Sequence, residues 1–103
     1  MQTLYCSYPV KEEYVQKIVD LYNSKEGFSL TKQQKGFISC EWFVAKNMEG
    51  KDCFYIWQKW VKKSHYHLYM SLPERVDGSP FMTLLSEGLD GNLVEIWGVG
   101  KTV

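Results

Sequence analysis

Three consecutive stretches determine the fold: FISCEWFVAK (residues 37–46), NMEGKD (residues 47–52) and CFYIWQKWV (residues 53–61). The first and third pieces alternate with a period of two and are rich in β-branched and aromatic residues, a pattern typical of β-strands. The piece between them contains Asn, Gly and Asp, which favour tight turns. The stretch therefore predicts a β-hairpin, and this hairpin limits which folds are possible.

Each predicted strand divides into two lines of side chains that point to opposite faces. On the first strand an apolar line comprises Ile38, Cys40, Trp42 and Val44, and a mixed line comprises Phe37, Ser39, Glu41, Phe43 and Ala45. On the second strand the two lines are Cys53, Tyr55, Trp57, Lys59 and Val61, and Phe54, Ile56, Gln58 and Trp60. A loop with an even number of residues would place Ser39 and Glu41 beside Gln58 and Trp60 on one face. An odd loop mixes the lines and leaves the faces unassigned.

The segment before the hairpin predicts a strand and then an amphipathic helix. Residues 2–8 alternate and are rich in β-formers, which indicates the strand. Pro9 stands where the first helical residue would be. The apolar positions that follow recur at helical spacing and are Val10, Tyr14, Ile18, Leu21 and Tyr22. Residues 28–35 fit no single element.

The segment after the hairpin predicts two helices and a final strand. Residues 62–72 indicate a helix that Pro73 ends. Ser79 and Pro80 are suited to the N-cap and first position of a short helix that continues to about Leu89. Residues 93–99 indicate the last strand. The order β-α-β-β-α-(α)-β predicts an α+β, ferredoxin-like fold with a four-stranded antiparallel sheet over one domain, residues 1–103.

Two helices can cover only one face of such a sheet. The second face carries many large side chains, and a face of that kind is rarely left open to water. We therefore expect a homodimer in which two sheets face each other. A cavity that holds a few polar groups is expected inside this dimeric barrel.

Composition and charge narrow the class of protein. Lys plus Arg and Asp plus Glu number 12 each, so the chain lacks the basic excess of a nucleic-acid-binding protein. The three cysteines have no C-x-x-C spacing, which favours reduced intracellular thiols. No signal peptide or apolar run of about 20 residues, the length of a membrane span, is recognisable. We expect a cytoplasmic protein with no nucleic-acid or membrane partner.

Several motifs resemble the antibiotic biosynthesis monooxygenase (ABM)-like family of dimeric α/β barrels. They are Gly36-Phe37 at the start of a strand, F-x-I-x-Q-x-W from Phe54 to Trp60 leading into a helix, and Tyr69-Met70-x-x-x-x-Arg75. The resemblance covers nearly the whole chain. It implies a cofactor-independent monooxygenase acting on a quinol- or anthrone-like aromatic, with no cofactor and no metal.

The resemblance also implies roles for particular residues. Trp60 matches a tryptophan at the end of the third strand, Tyr66 or Tyr69 matches helical tyrosines, and Arg75 matches an arginine of the site. Tyr69 stands where many relatives carry a histidine. An asparagine that some relatives carry has no clear counterpart on the first strand, where Tyr5, Cys6 and Ser7 stand. The third strand offers Ile56 and Trp57 instead, which disfavours haem degradation.

The remaining candidates come from the residues themselves. Glu41 is a candidate general base if burial raises its pKa. The residues expected to line the same cavity are Ser39, Phe43, Ile56 and Gln58. His65 and His67 diverge by about 200° on a helix, so a shared metal ion is not expected. His65 is the better candidate for pocket chemistry near neutral pH.

Three functions remain open from the sequence: a cofactor-free oxygenase, a pocket that binds a hydrophobic ligand without catalysis, and a structural dimer with a filled interior. A cavity with Glu41, Gln58 or His65 turned inward would favour the first. An apolar cavity without a titratable group would favour the second, and the absence of a cavity would favour the third.

Overall fold

A computed structural model describes residues 1–25, 27–76 and 79–100. Its elements are β1 (Gln2–Val10), α1 (Glu12–Asn23), α2 (Ser29–Lys32), β2 (Phe37–Lys46), β3 (Asp52–Trp60), α3 (Lys63–Met70), α4 (Pro73–Val76), α5 (Pro80–Gly88) and β4 (Val94–Gly98). The four strands form one sheet in the order β2-β3-β1-β4, and every neighbouring pair is antiparallel. The predicted α+β, ferredoxin-like fold is confirmed.

The hairpin loop contains five residues, 47–51, because Lys46 pairs with Asp52 across the strands. The Asn47 side chain closes the loop: its Oδ1 accepts the backbone N–H groups of Glu49 at 2.9 Å and Lys51 at 3.0 Å. Gly50 adopts φ 77°, a left-handed conformation that glycine tolerates best. The loop therefore has an odd number of residues. The expectation for an even loop, that Ser39 and Glu41 lie beside Gln58 and Trp60 on one face, is wrong.

The odd loop changes which side chains share a face. Gln58 pairs with Cys40 and faces the helices, whereas Glu41 pairs with Trp57 and faces away from them. A break in register between Phe37 and Ser39 brings Phe37 opposite Trp60. The helix-facing lines are Cys40, Trp42 and Val44 on β2 and Phe54, Ile56, Gln58 and Trp60 on β3. Ser39 and Glu41 therefore lie on the face opposite to Gln58 and Trp60.

Pro9 lies in β1 rather than at the start of α1, so the predicted helix start is wrong by three residues. The Pro9 carbonyl accepts the backbone N–H of Asp90 at 2.9 Å. Since the amide and carbonyl groups of one strand residue point to the same side, the missing N–H of Pro9 points away from β3. The proline therefore removes no hydrogen bond between β1 and β3. On the other side of β1, the pairing with β4 ends at Ser7, before Pro9 is reached.

Pro73 begins a short helix, α4, instead of only ending α3. Ser79 and Pro80 take the predicted N-cap and first positions of α5. The predicted stripe of α1 is confirmed at Ile18 and Tyr22, which are buried against the sheet, whereas Val10, predicted as its first member, lies in β1. No helix among the described residues is long and apolar enough to cross a membrane.

The buried side chains on the helix side of the sheet form two clusters. The first cluster contains Tyr8, Val10, Ile18, Tyr22, Phe54, Ile56 and Leu85. The second cluster contains Leu4, Trp60, Tyr66 and Tyr69. Cys6 packs against both clusters. The two clusters therefore lie side by side along β1, the second at Leu4 and the first at Tyr8.

The outer face of the sheet carries aromatic side chains that no helix covers. Phe43 stacks on Tyr55 and Trp57, with ring centroids 4.9 and 5.6 Å apart, and Trp57 meets Tyr5 edge to face at 5.2 Å. Phe43 is 48% exposed and Ile96 is 57% exposed. An apolar face of this kind is unusual on a soluble monomer.

Candidate functional site

A pocket of about 290 Å³ lies between the sheet and the helices, at the division between the two core clusters. Its lining from the sheet includes Leu4, Cys6, Tyr8, Ile56, Gln58 and Glu95, and its lining from the helical layer includes Tyr22, Phe28, Leu30, Thr31, Tyr66, Tyr69, Arg75 and Phe81. Most of these groups are apolar or aromatic. A pocket of this size and character suits a small, flat organic molecule.

Arg75 on α4 provides the positive charge of the pocket lining. Its guanidinium lies 5.7 Å from the centre of the Tyr69 ring and 5.4 Å from the centre of the Phe81 ring. Cation–π contacts at these distances hold the guanidinium over aromatic walls. Its charge also acts on Tyr66 and on Tyr22, where it favours the ionised phenol. An anionic ligand oxygen in the pocket would be stabilised by the same charge.

Tyr69 is positioned to donate a hydrogen bond into the pocket. Its phenol oxygen accepts the hydroxyl of Thr31 at 2.8 Å, and Thr31 is itself buried. Because Tyr69 acts as the acceptor in this bond, its own phenol proton remains available to a ligand. The short helix α2, in the segment that the sequence left unassigned, brings Thr31 to this place.

Tyr66 is held neutral in the same wall. Burial raises the pKa of Tyr66 above its usual value, and the negative charge of Glu95 raises it further. The Tyr66 phenol therefore keeps its proton at physiological pH and can act only as a hydrogen-bond donor or a neutral acceptor. Tyr66 and Tyr69 both line the pocket, as the resemblance implied.

A second pair of hydroxyl groups lines the pocket on the side of the first cluster. The phenol groups of Tyr8 and Tyr22 are hydrogen-bonded to each other, and both residues are buried. Burial raises the pKa of each phenol, so both stay protonated near neutral pH. Tyr22 is fixed further by ring contacts with Phe28 at 4.7 Å and Trp42 at 5.0 Å.

Trp60 lies behind the pocket wall and is not part of the pocket lining. It is 0% exposed, and its indole N–H donates to Gln58 Oε1 at 3.0 Å. The Gln58 amide, which does line the pocket, also bonds to the Cys40 thiol and favours its ionised form. Trp60 therefore reaches the pocket indirectly, through the orientation of Gln58.

The thiols beside the pocket are not reactive groups at neutral pH. Burial raises the pKa of Cys6 to about 12, and the charge of Glu95 adds to this effect. Burial likewise raises the pKa of Cys40 to about 11, against the opposing effect of Gln58. Since the thiolate is the nucleophile, neither cysteine is suited to covalent catalysis.

His65 lies outside the pocket lining. Its imidazole packs directly against the Cα of Gly36, at the start of β2, and its Nδ1 is buried without a hydrogen-bond partner in the part of the chain that the structure describes. The ring fills the joint between α3 and the hairpin. The geometry gives His65 a packing position rather than access to a ligand.

Glu41, Ser39 and Phe43 lie on the outer face of the sheet and line a separate, open hollow of about 400 Å³ together with Thr3, Trp42, Trp57 and Lys59. The expectation of one cavity that contains both Glu41 and Gln58 is wrong, because the odd hairpin loop places them on opposite faces. Glu41 is exposed to solvent. The structure unites Ile56, Gln58, Tyr66, Tyr69 and Arg75 of the predicted site residues.

The sequence analysis missed several residues of the pocket: Cys6, Tyr8, Tyr22, Thr31 and Glu95. A signal existed for Tyr8, because Leu4, Cys6 and Tyr8 form one alternating line of β1. Thr31 belongs to a segment without clear periodicity and gave no such signal. Over residues 1–25, 27–76 and 79–100, no group of three His, Cys, Asp or Glu residues could hold a metal ion.

Comparisons with solved structures find the same fold in several proteins, some of which are described as monooxygenases. A crystal structure described as an antibiotic biosynthesis monooxygenase matches with a TM-score of 0.72 and 14% identity, over 99% of this chain and 100% of that chain. SnoaB, a cofactor-independent oxygenase from Streptomyces nogalater, matches with a TM-score of 0.72 and 10% identity, over 99% and 94% of the two chains. A monooxygenase from Streptomyces coelicolor in complex with nanaomycin D matches with a TM-score of 0.66 and 16% identity, over 99% and 88%.

No model of a known protein family and no curated protein matches the chain. At identities of 10–16%, the similar structures establish the fold and leave the chemistry to be argued from the pocket. The predicted resemblance to the ABM-like family is confirmed at the level of fold.

Proposed function

We propose that the chain is an ABM-type, cofactor-independent monooxygenase that oxidises an electron-rich aromatic molecule of the quinol or anthrone class. The observation that carries this proposal is the apolar pocket with Arg75 over its aromatic wall and the free proton of Tyr69 beside it. A phenolate or enolate oxygen bound there would meet a positive charge and a hydrogen-bond donor. The names of the similar structures, which include a cofactor-independent oxygenase, support the same class.

The reaction needs a substrate that can lose a proton and then supply electrons to dioxygen. For an anthrone, loss of a proton gives an enolate, and the enolate reduces O₂ as a new C–O bond forms. The O–O bond then breaks, so that one oxygen atom becomes the carbonyl of the product and the other leaves as water with the two hydrogens of the original CH₂ group. Arg75 stabilises the enolate by placing a fixed positive charge in a site of low polarity.

The substrate proton needs an acceptor, and the pocket offers two carboxylates, Glu74 and Glu95. Both are exposed enough to exchange protons with water. Glu95 is oriented by Trp97, whose indole N–H donates to Glu95 Oε1 at 2.9 Å. The proton would leave through these carboxylates, because the phenols of Tyr8, Tyr22 and Tyr66 and the thiol of Cys6 are all held in their protonated forms.

The alternative is a pocket that binds a hydrophobic aromatic molecule without oxidising it. The protonated phenols and thiol favour this alternative, since a wall of neutral groups retains a ligand but does not remove its proton. The two functions differ in one respect that can be measured: only the oxygenase consumes O₂ when it is mixed with a suitable aromatic.

Replacement of Arg75 by glutamine is expected to lower the rate of O₂ uptake about 100-fold with dithranol, a hydroxylated anthrone, as substrate. Loss of one group that stabilises a developing oxyanion typically costs this much. The measurement is O₂ consumption with an oxygen electrode, corrected for the spontaneous oxidation of dithranol. Lys17→Gln removes a cation that lies over the Tyr14 ring on the exposed surface of α1, outside the pocket, and is the matched control, expected to retain the wild-type rate.

Equal rates for wild type and Arg75→Gln would contradict the oxygenase proposal. If the wild type binds dithranol but does not raise O₂ uptake above the spontaneous rate, the binding alternative holds instead.

The exposed outer face of the sheet supports a homodimer in which two such faces pack together. Phe43, Trp57 and Ile96 contribute apolar surface there, and a second copy would remove it from water. The hollow with Glu41 and Lys59 would then lie at the dimer interface. The substrate pocket would remain within each subunit, on the opposite side of the sheet.

Replacement of Trp57 by glutamate is expected to convert the dimer to a monomer at micromolar concentration, because two buried carboxylates would face each other across the interface. Light scattering after size-exclusion chromatography measures the change in mass. Leu68→Glu alters an exposed leucine of α3, away from the sheet, and is expected to remain dimeric. A wild-type protein that elutes as a monomer would contradict the dimer proposal.

A further inference from the structure

The hydroxyl pair formed by Tyr8 and Tyr22 contains one more proton than its own hydrogen bond uses. Two phenols carry two protons, and a single O–H···O bond engages one of them. Whichever phenol donates, the other keeps a proton, and the structure gives this second proton no acceptor among the described residues. Both residues are buried, at 1% and 8% exposure, and both line the pocket. A buried donor without an acceptor is unfavourable, so an acceptor is expected there when the pocket is filled.

The position of this pair relative to the other polar groups defines the ligand. Tyr8 and Tyr22 belong to the first core cluster, whereas Tyr69 belongs to the second, and the pocket lies between the clusters. Along β1, the four steps from Leu4 to Tyr8 span about 13 Å at the usual rise of a strand. The pocket therefore has a phenol group toward each end of this span, and Cys6 and its strand neighbours Ile56 and Glu95 line it between them.

The packing of Phe81, which lines the pocket together with Tyr8 and Tyr22, indicates that the Tyr8–Tyr22 pair faces the ligand space rather than the closed core. The Phe81 ring lies 5.7 Å from each tyrosine ring and 5.4 Å from the Arg75 guanidinium, which joins the two ends of the pocket along one wall.

We infer that the Tyr8–Tyr22 pair is a specificity site that donates a hydrogen bond to a second oxygen of the ligand, at the end of the molecule away from Tyr69. The ligand class is a fused or linked aromatic with oxygens at both ends, one of them a carbonyl or ether acceptor. This inference rests on the proposed function, because it assumes that the first oxygen binds near Arg75 and Tyr69. The apolar part of the lining, which includes Ile56 and Phe81, contacts the rings.

The test uses two probes that differ only in a ketone oxygen at the distal end. 6-Acetyl-2-naphthol carries a phenol and a ketone at opposite ends, and 6-ethyl-2-naphthol carries the same phenol and no ketone. Neither probe alkylates thiols, so the pocket cysteine does not interfere. Affinities are measured by isothermal titration calorimetry at pH 6, where both phenols are neutral.

The wild type is expected to bind the ketone probe about 5- to 10-fold more tightly, the usual effect of one neutral hydrogen bond. Tyr8→Phe/Tyr22→Phe removes both hydroxyls and keeps both rings, and replacement of both partners by apolar groups of the same shape is nearly neutral for stability. This double variant is expected to lose the preference and to bind the ethyl probe with unchanged affinity. Tyr14→Phe removes a phenol hydroxyl that bonds to Glu87 outside the pocket and is expected to keep the preference.

The inference is overturned if the wild type shows no preference for the ketone probe, or if the double variant keeps that preference. In either case, binding of the ethyl probe would leave the proposed pocket intact. If neither probe binds the wild type, both the inference and the proposed function are wrong. A second measurement needs no variant: the infrared C=O stretch of the bound ketone probe is expected at lower frequency than in an apolar solvent. An unshifted band in the wild-type complex would also overturn the inference.

Discussion

Replacement of Gly36 by alanine is expected to lower the free energy of unfolding by about 3 kcal/mol, within a range of about 2–5 kcal/mol, from two separate causes. The first cause is the backbone, because Gly36 has φ 86° and a Cβ in this left-handed region costs about 1–2 kcal/mol. The second cause is the His65 imidazole, which occupies the place where the new Cβ would stand. Forcing an extra methyl group into packed surroundings costs about 1–3 kcal/mol.

The surroundings of Gly36 give the new methyl group little room to be accommodated. The Gly36 carbonyl accepts the backbone N–H of Val61 at 2.7 Å, which ties the start of β2 to the end of β3. His65 belongs to the first turn of α3, two residues after that helix begins. Moving the imidazole therefore moves α3 relative to the hairpin, and α3 carries Tyr66 and Tyr69 of the pocket.

Urea unfolding followed by circular dichroism measures this effect, and the chain provides a matched control. Gly50 has φ 77° in the hairpin loop, and no atom lies within 4 Å of the place that its Cβ would take. Gly50→Ala is therefore expected to show only the backbone cost, about 1–2 kcal/mol. The difference between the two variants isolates the contact with His65.

A double-mutant cycle checks the assigned cause. His65→Ala in the Gly36→Ala background removes the obstructing ring, so the two changes together are expected to destabilise less than the sum of the single changes. Additive effects would show that His65 is not the obstacle. An effect of Gly36→Ala no larger than that of Gly50→Ala would contradict the contact itself.

The same joint illustrates what the sequence could predict. The hairpin strands, the helix that follows them and the order of elements were all predictable, since each depends on local periodicity and turn residues. Whether the hairpin loop has an odd or an even number of residues was not predictable from composition. It depends on where the ladder ends, and here Lys46 and Asp52 extend the pairing, with Lys46 Nζ 3.1 Å from Asp52 Oδ1.

A difference of one loop residue had large consequences for the predicted site. It moved Glu41 to the opposite face of the sheet from Gln58 and so separated the candidate base from the pocket. The residues that the sequence analysis missed come together from distant segments: Tyr8 and Tyr22 are 14 positions apart, and Thr31 and Tyr69 are 38 positions apart. Periodicity assigns a side chain to a face of its own element, and tertiary packing alone decides which faces meet.

Replacement of Trp60 is also expected to have a large effect on the free energy of unfolding. Two different replacements distinguish a packing role of this residue from a role in the reaction. Its side chain is fully buried, between Phe37 at 5.5 Å, Tyr66 at 5.7 Å and Tyr69 at 5.9 Å between ring centroids. Trp60→Ala would leave a cavity in the smaller core cluster, and such truncations cost about 3–5 kcal/mol. Urea unfolding is again the measurement.

Trp97 offers a matched control for the loss of an indole. Like Trp60, it lies on a strand and donates its indole N–H to the side chain two residues before it, in this case Glu95. It is only half-buried, so Trp97→Ala leaves no closed cavity. Trp97 packs against the edge of the second cluster, so its replacement is expected to lower the free energy of unfolding by only about 1 kcal/mol, near the average for single substitutions. Comparable effects of the two variants would contradict the assigned packing role of Trp60.

Trp60→Phe then tests whether the tryptophan also takes part in the proposed oxidation. Phenylalanine keeps much of the packing but leaves Gln58 Oε1 without its donor, at a cost of about 1–3 kcal/mol. The indole N–H of Trp60 bonds to Gln58, and phenylalanine keeps a ring against Tyr66 and Tyr69. The folded variant is therefore expected to retain O₂ uptake with dithranol within about 10-fold, with a weaker apparent affinity for the substrate. A Gln58→Leu variant should then show the same change in affinity, since it removes the group through which Trp60 acts. Loss of the catalytic rate itself in Trp60→Phe, with Gln58→Leu unaffected, would contradict the positioning role and assign the indole a direct part in the reaction.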